Sequence, residues 1–212
     1  MTSPRSRVSF GSLIGALLLL SFSCAKNQVA EQPKPQAEPQ FSATEYYNRA
    51  SEEFDKENFD AAIENYSKAI ELDDRNVDAY VGRGFAYYHK QNYDAAIADE
   101  NKALELDPRN ANAYINRGIA REKKGDTDAA WADFNQAIDI DAKVAEAYYN
   151  RGRLRSMKGD HAGAIADNTK AIELDANYSD AYMNRGVEKT QLGDWYAGVA
   201  DLQKAIEVNP KN

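Results

Sequence analysis

Ala113-Tyr114-Ile115-Asn116-Arg117-Gly118 returns as Ala147-Tyr148-Tyr149-Asn150-Arg151-Gly152, and variants of it open at Glu45, Ala79 and Ala181. A second kind of segment recurs between these copies: Ala69-Ile70 aligns with Ala103-Leu104 at a spacing of 34 residues. A period of that length marks an array of stacked helix pairs, in which each unit buries its apolar face only against its neighbours. One elongated array is therefore expected from this chain of 212 residues, in place of one or two globular domains.

Within each unit the Tyr-x-x-Arg-Gly stretch predicts a first helix and the Ala-Ile segment a second. The turns between them read Glu57-Asn58, Gln91-Asn92, Gly125-Asp126, Gly159-Asp160 and Gly193-Asp194. Glycine suits the left-handed position that closes the first helix, and Asp or Asn caps the second. Small residues repeat at Ala50, Gly84, Gly118, Gly152 and Gly186, then at Ala62, Ala96, Ala130, Ala164 and Gly198, and then at Ala69, Ala103, Ala137, Ala171 and Ala205. They let paired helices approach closely.

These residues resemble the tetratricopeptide repeat family over residues 43–212. The opening aromatics are Tyr46, Tyr80, Tyr114, Tyr148 and Tyr182. The resemblance implies an all-α fold, a right-handed superhelical solenoid of five helix-turn-helix units at 43–76, 77–110, 111–144, 145–178 and 179–212. Departures are Arg where the family has Leu, and Glu100 and Asn168 where an aromatic is usual. Arg83 shares a stripe with Ala79 and Ala86, so it is expected to be partly buried. The second helices place Asp99, Asp133, Asp167 and Asp201 on a comparable stripe, and a buried charge needs a partner. Asp99 with Arg117, Asp133 with Arg151 and Asp167 with Arg185 would pair across unit boundaries, and pairing inside one unit is the alternative.

The chain begins with Arg5 and Arg7, an apolar run from Val8 to Phe22, and then Ser23-Cys24. That is a secretory pattern, so residues 1–23 are expected to be a signal peptide outside the fold. The run is shorter than the roughly 20 residues a spanning helix needs. Cys24, the only cysteine, stands where bacterial lipoproteins carry the residue that is diacylated. The segment resembles a lipobox, with Ser21 at the place where Leu is commonest. An ordinary cleaved signal and an uncleaved anchor are the other readings, and the lone cysteine favours the first. Residues 24–42 follow as a Pro/Gln-rich tether, poor in apolar groups, that would reach on the order of 50 Å when extended. The resemblance implies a bacterial cell-envelope protein, lipid-anchored at the outer membrane and facing the periplasm.

A net charge of −8 argues against nucleic acid as a partner. No constellation suggests an enzyme: His89 and His161 lie in different units without ligands at metal spacing, and both are expected to be exposed. No cofactor or metal is implied. The family's inner surface, built from first helices, implies a groove for a peptide or protein partner. Asn48, Asn116, Asn150 and Asn184 form a row whose amides both donate and accept, a sequence-tolerant grip on a peptide backbone. Beside them Tyr47, Val81, Phe85, Tyr88, Ile115, Ile119, Tyr149, Met157, Met183 and Val187 are expected to supply apolar pockets. Clamps for acidic tails carry lysine where this chain has Tyr47, Val81, Ile115, Tyr149 and Met183, which disfavours that ligand. Two further readings stay open. One is an assembly accessory resembling pilus-secretin pilotins or outer-membrane assembly lipoproteins; the other is a ligand-free structural oligomer joined through the stripe around Val199, Leu202 and Ile206.

Overall fold

The computed structural model describes residues 41–209, all within one compact unit. Cys24, the signal segment and nearly all of the tether lie outside the described residues. Ten α-helices follow one another, and no strand occurs among the described residues. They are α1 (Ala43–Asp55), α2 (Phe59–Leu72), α3 (Val77–His89), α4 (Tyr93–Leu106), α5 (Ala111–Lys123), α6 (Thr127–Ile140), α7 (Ala145–Met157), α8 (His161–Leu174), α9 (Ser179–Gln191) and α10 (Trp195–Val208). Consecutive helices pack as hairpins, and each second helix packs on the first helix of the following unit. First helices also touch one another, α1 with α3 and so on to α9, while second helices of neighbouring units do not. The array therefore curves with its first helices on the inside.

Local chemistry sets each hairpin. Side chains of Asn92, Asp126, Asp160 and Asp194 accept a hydrogen bond from the first turn of the second helix. Gly125, Gly159 and Gly193 hold positive φ at the closing turn, and so do Glu57 and Gln91, at 60° each. Side chains at those two positions are strained. Inside the hairpin a small residue on the first helix admits a large one from the second. A Cβ at Gly118 would sit 2.6 Å from the ring of Phe134, which is fully buried.

Charge, not only apolar area, holds the units in register. Arg83 donates through Nε and Nη2 to both carboxylate oxygens of Asp99, at 2.8 and 2.7 Å. Arg117 grips Asp133, Arg151 grips Asp167 and Arg185 grips Asp201 in the same way. Pairing is thus inside each unit. The cross-boundary pairs expected from sequence are not formed, because the hairpin partner presents its Asp directly opposite the arginine. The third arm of each guanidinium does cross the boundary. Nη1 donates to Ser67, Asn101, Asn135 or Thr169 on the preceding second helix, at 2.7 to 3.2 Å. Burial pushes the Asp201 carboxyl up, but hydrogen bonds from Arg185 and Lys189 outweigh it and leave the group below the usual carboxylate range. On the rim, Lys90 with Asp60, Lys124 with Asp94 and Lys158 with Asp128 add exposed inter-unit pairs, each worth little alone.

The two ends of the array differ. In the first unit Asn65 stands where the carboxylate would be, and Arg49 stacks over Phe41 with its guanidinium carbon 3.7 Å from the ring centre. Glu45 and Glu52 are exposed in α1 where α3 buries Ala79 and Ala86. That is the polar outer face of a terminal unit. On α10, by contrast, Trp195, Tyr196, Val199 and Ile206 are all exposed, Tyr196 by 94%.

Removing one member of a buried pair strands its partner. Asp133→Ala frees both Arg117 and Arg121. It is expected to lower unfolding stability by about 3 kcal/mol, read by chemical denaturation. Gln91→Gly, which relieves a left-handed side chain, is expected to raise stability by roughly 1 kcal/mol in the same measurement.

Candidate functional site

The inner wall carries the groove residues expected from sequence, in three different environments. Tyr47, Phe85 and Tyr88 belong to an aromatic tract along its first half. The Tyr47 ring lies 5.7 Å from Tyr66, while Phe85 stacks on Phe54 at 5.3 Å and on Tyr88 at 6.1 Å. His89 joins this tract, stacked on Phe59 at 4.8 Å, and burial holds its imidazole below the ordinary value. Val81 and Ile119 are half-buried against the hydrophobic core. Met157, Met183 and Val187 are exposed, by 65%, 37% and 41%.

Two expected groove contacts are corrected. Ile115 is 1% exposed and packs with Ala137 and Ala147; its side chain is core and offers no surface to a ligand. Asn150 is 3% exposed: its amide donates to the Glu146 carbonyl oxygen at 3.0 Å and its oxygen accepts from Arg153. Asn116 is half-buried and donates to Glu100 Oε1 at 3.2 Å. Asn48 is exposed, and Asn184 is half-buried, hydrogen-bonded to the Tyr149 phenol and lining a recess of 230 Å³ with Arg153, Ser156 and Met157. A straight stripe of amides was legible in sequence; the inward turn of the middle two was not.

Polar groups fill part of the wall's second half. Arg153 Nη2 on α7 reaches Glu122 Oε1 on α5 at 2.5 Å. Glu188, 4% exposed, accepts from Ser156 at 2.5 Å, and its other oxygen lies 2.6 Å from His161 Nδ1. His161 is therefore an inter-unit tie and not the solvent-facing residue expected. Serine and histidine both bond the carboxylate and not each other, so this is no nucleophile-base pair. A recess of 640 Å³ lies between the start of α1 and the end of α2, lined by Phe41, Tyr46, Lys68 and Leu72.

Glu100 and Asn168 are fully buried in the interior, where the family usually places an aromatic. Glu100 Oε2 and Asn168 Oδ1 have no hydrogen-bond partner. Burial pushes the Glu100 carboxyl up to about 9, against a hydrogen bond from Asn116 that lowers it. The carboxyl is neutral at pH 7 in the folded protein.

The family model described as TPR repeat matches residues 50–91 and 86–125, and two described as tetratricopeptide repeat match 115–181 and 179–212. The chain belongs to the tetratricopeptide repeat family. No curated protein matches it. Among solved structures it is similar to MamA, at 28% identity and a TM-score of 0.64, over 80% of this chain and 92% of that one. It is similar to YrrB, described as a TPR protein with an unusual peptide-binding site, at 26% identity and 0.59, over 81% and 88%. PilF of Pseudomonas aeruginosa shares the fold, at 17% identity and 0.74, over 80% and 78%. Tetratricopeptide proteins bind peptides or proteins and are generally non-catalytic scaffolds.

Glu100 makes stability pH-dependent with a definite sign. The folded protein keeps a proton that the unfolded chain releases, so its contribution falls as pH rises from about 4.5 to about 9. Glu100→Gln removes that dependence, while its amide stays partly unpaired. Denaturant titrations should show a gain of about 3 kcal/mol at pH 7 and none near pH 4.

Proposed function

We propose that this chain is a non-catalytic scaffold that holds an extended peptide or a partner segment along its inner wall. One observation carries the reading: Met157, Met183 and Val187 stand exposed on first helices beside Asn184. Flexible, exposed methionines suit a partner whose side chains vary. The similarity to YrrB, whose described property is a peptide-binding site, supports it. Met183→Asp with Val187→Asp leaves the core untouched and should weaken partner binding at least ten-fold by calorimetry, with helical content unchanged. Binding unaffected by that pair would reject this wall as the contact surface.

The scaffold is proposed to sit at the outer membrane, facing the periplasm, through diacylated Cys24. The basic and apolar start of the chain before its one cysteine supports this. Labelled palmitate should enter the wild-type chain in cells and not Cys24→Ser; labelling of both would place the lipid elsewhere. An assembly accessory resembling pilotins is a narrower form of the same reading. The exposed outer face of α10 favours a second one, self-association, since aliphatic and aromatic groups there lie open in one stripe. Light scattering that shows one monomeric mass at every concentration would reject it.

A further inference from the structure

Where α7 meets α9 the inner wall carries a cluster the groove reading does not yet use. The rings of Tyr149 and Tyr178 lie 5.0 Å apart at 37°. Glu146, in the first turn of α7, is exposed, and its carboxylate has no partner among the described residues. Its charge reaches Tyr178, and that of Asp180, in the first turn of α9, reaches both rings. The same register between α1 and α3 holds Thr44, Tyr47, Asn76 and Asp78, which line an open recess of 190 Å³. Three periods on, Glu146, Tyr149, Tyr178 and Asp180 take those four places. The four residues hold equivalent places in the repeat, and here those places are acidic and aromatic.

Aromatic faces and carboxylates together attract one kind of group, an organic cation. Tyr149 already shows the preference, with the Arg153 guanidinium 5.9 Å from its ring centre. Arg153 does not satisfy the cluster, because its charge is held by Glu122 at 2.5 Å. No cation lies over the Tyr178 ring among the described residues. Exposed Met183, one helical turn beyond Asp180, borders the site with apolar surface. We infer that the Tyr149–Tyr178 pair, where α7 meets α9, receives a lysine or arginine side chain of the bound peptide, with apolar residues of that peptide beside it. The phenol of Tyr178 is raised by burial and by the charge of Glu146, which sets that carboxylate within electrostatic reach of the ring.

This inference rests on the groove reading, and its test separates the two. A random dodecapeptide library displayed on phage is panned over the full chain, over Glu146→Gln/Asp180→Asn, and over Glu71→Gln/Asp139→Asn. The last variant removes equal charge from exposed positions on second helices. Lysine and arginine should be enriched at least five-fold among sequences recovered on the wild type and on the second variant, and fall to the library's own frequency on the first. Enrichment surviving equally on all three, or recovery dominated by acidic or uncharged sequences, would overturn the inference and leave the groove standing. Recovery of no sequence above background would overturn both.

Discussion

A guanidinium with three engaged arms is the constraint on which this array depends. Nε and Nη2 close on an aspartate across the hairpin, and Nη1 reaches back to a hydroxyl or amide on the unit before. Apolar packing between helices is tolerant of sliding, because small side chains such as Ala113 and Ala147 fit many registers. A fork of fixed donors is not. The same contact therefore fixes the angle within a unit and the step to the next. Its cost is desolvation of two charges, which attraction alone offsets poorly, so its contribution is to specify geometry more than to add stability.

From that step follows the inner wall. First helices meet along it, and what they project there is decided unit by unit. Tyr47, Phe54, Phe85 and Tyr88 make the first half aromatic, whereas Glu122, Arg153, Ser156 and Glu188 tie the second half together with charge. The surface left open lies between those ties, at Met157, Met183, Val187 and Asn184 and around Tyr149 and Tyr178. The wall is tied in place with a few open places, and a preorganised surface of that kind loses little entropy when it binds.

The fold was legible because its period is written five times, and because turns such as Gly125-Asp126 have one plain reading. The partly buried arginine was legible too, since Arg117 sits on an alanine stripe. Its partner was not: Asp133 and Asp167 lie on equivalent stripes one unit apart, and periodicity cannot choose between them. Asn101 and Asn135 carried a signal that was missed: Ser67, Asn101, Asn135, Thr169 and Gln203 put a hydroxyl or an amide at the same place of every second helix. The site was harder. Ile115 and Tyr149 occupy the same place in successive units, yet one is core and the other only half-buried. Spacing alone does not separate the two. Asn150 turns inward because Arg153 is there to bond it.

Coupling energies measure the three-armed contact most directly. Two double-mutant cycles, Arg151→Ala with Asp167→Ala and Arg151→Ala with Asn135→Ala, read the arm inside the unit and the arm across the boundary. The account predicts that both cycles depart from additivity by more than about 0.5 kcal/mol, the first by more than the second. Additive effects in the Asn135 cycle would contradict it, because the arginine would then hold its own hairpin and have no part in setting the step between units.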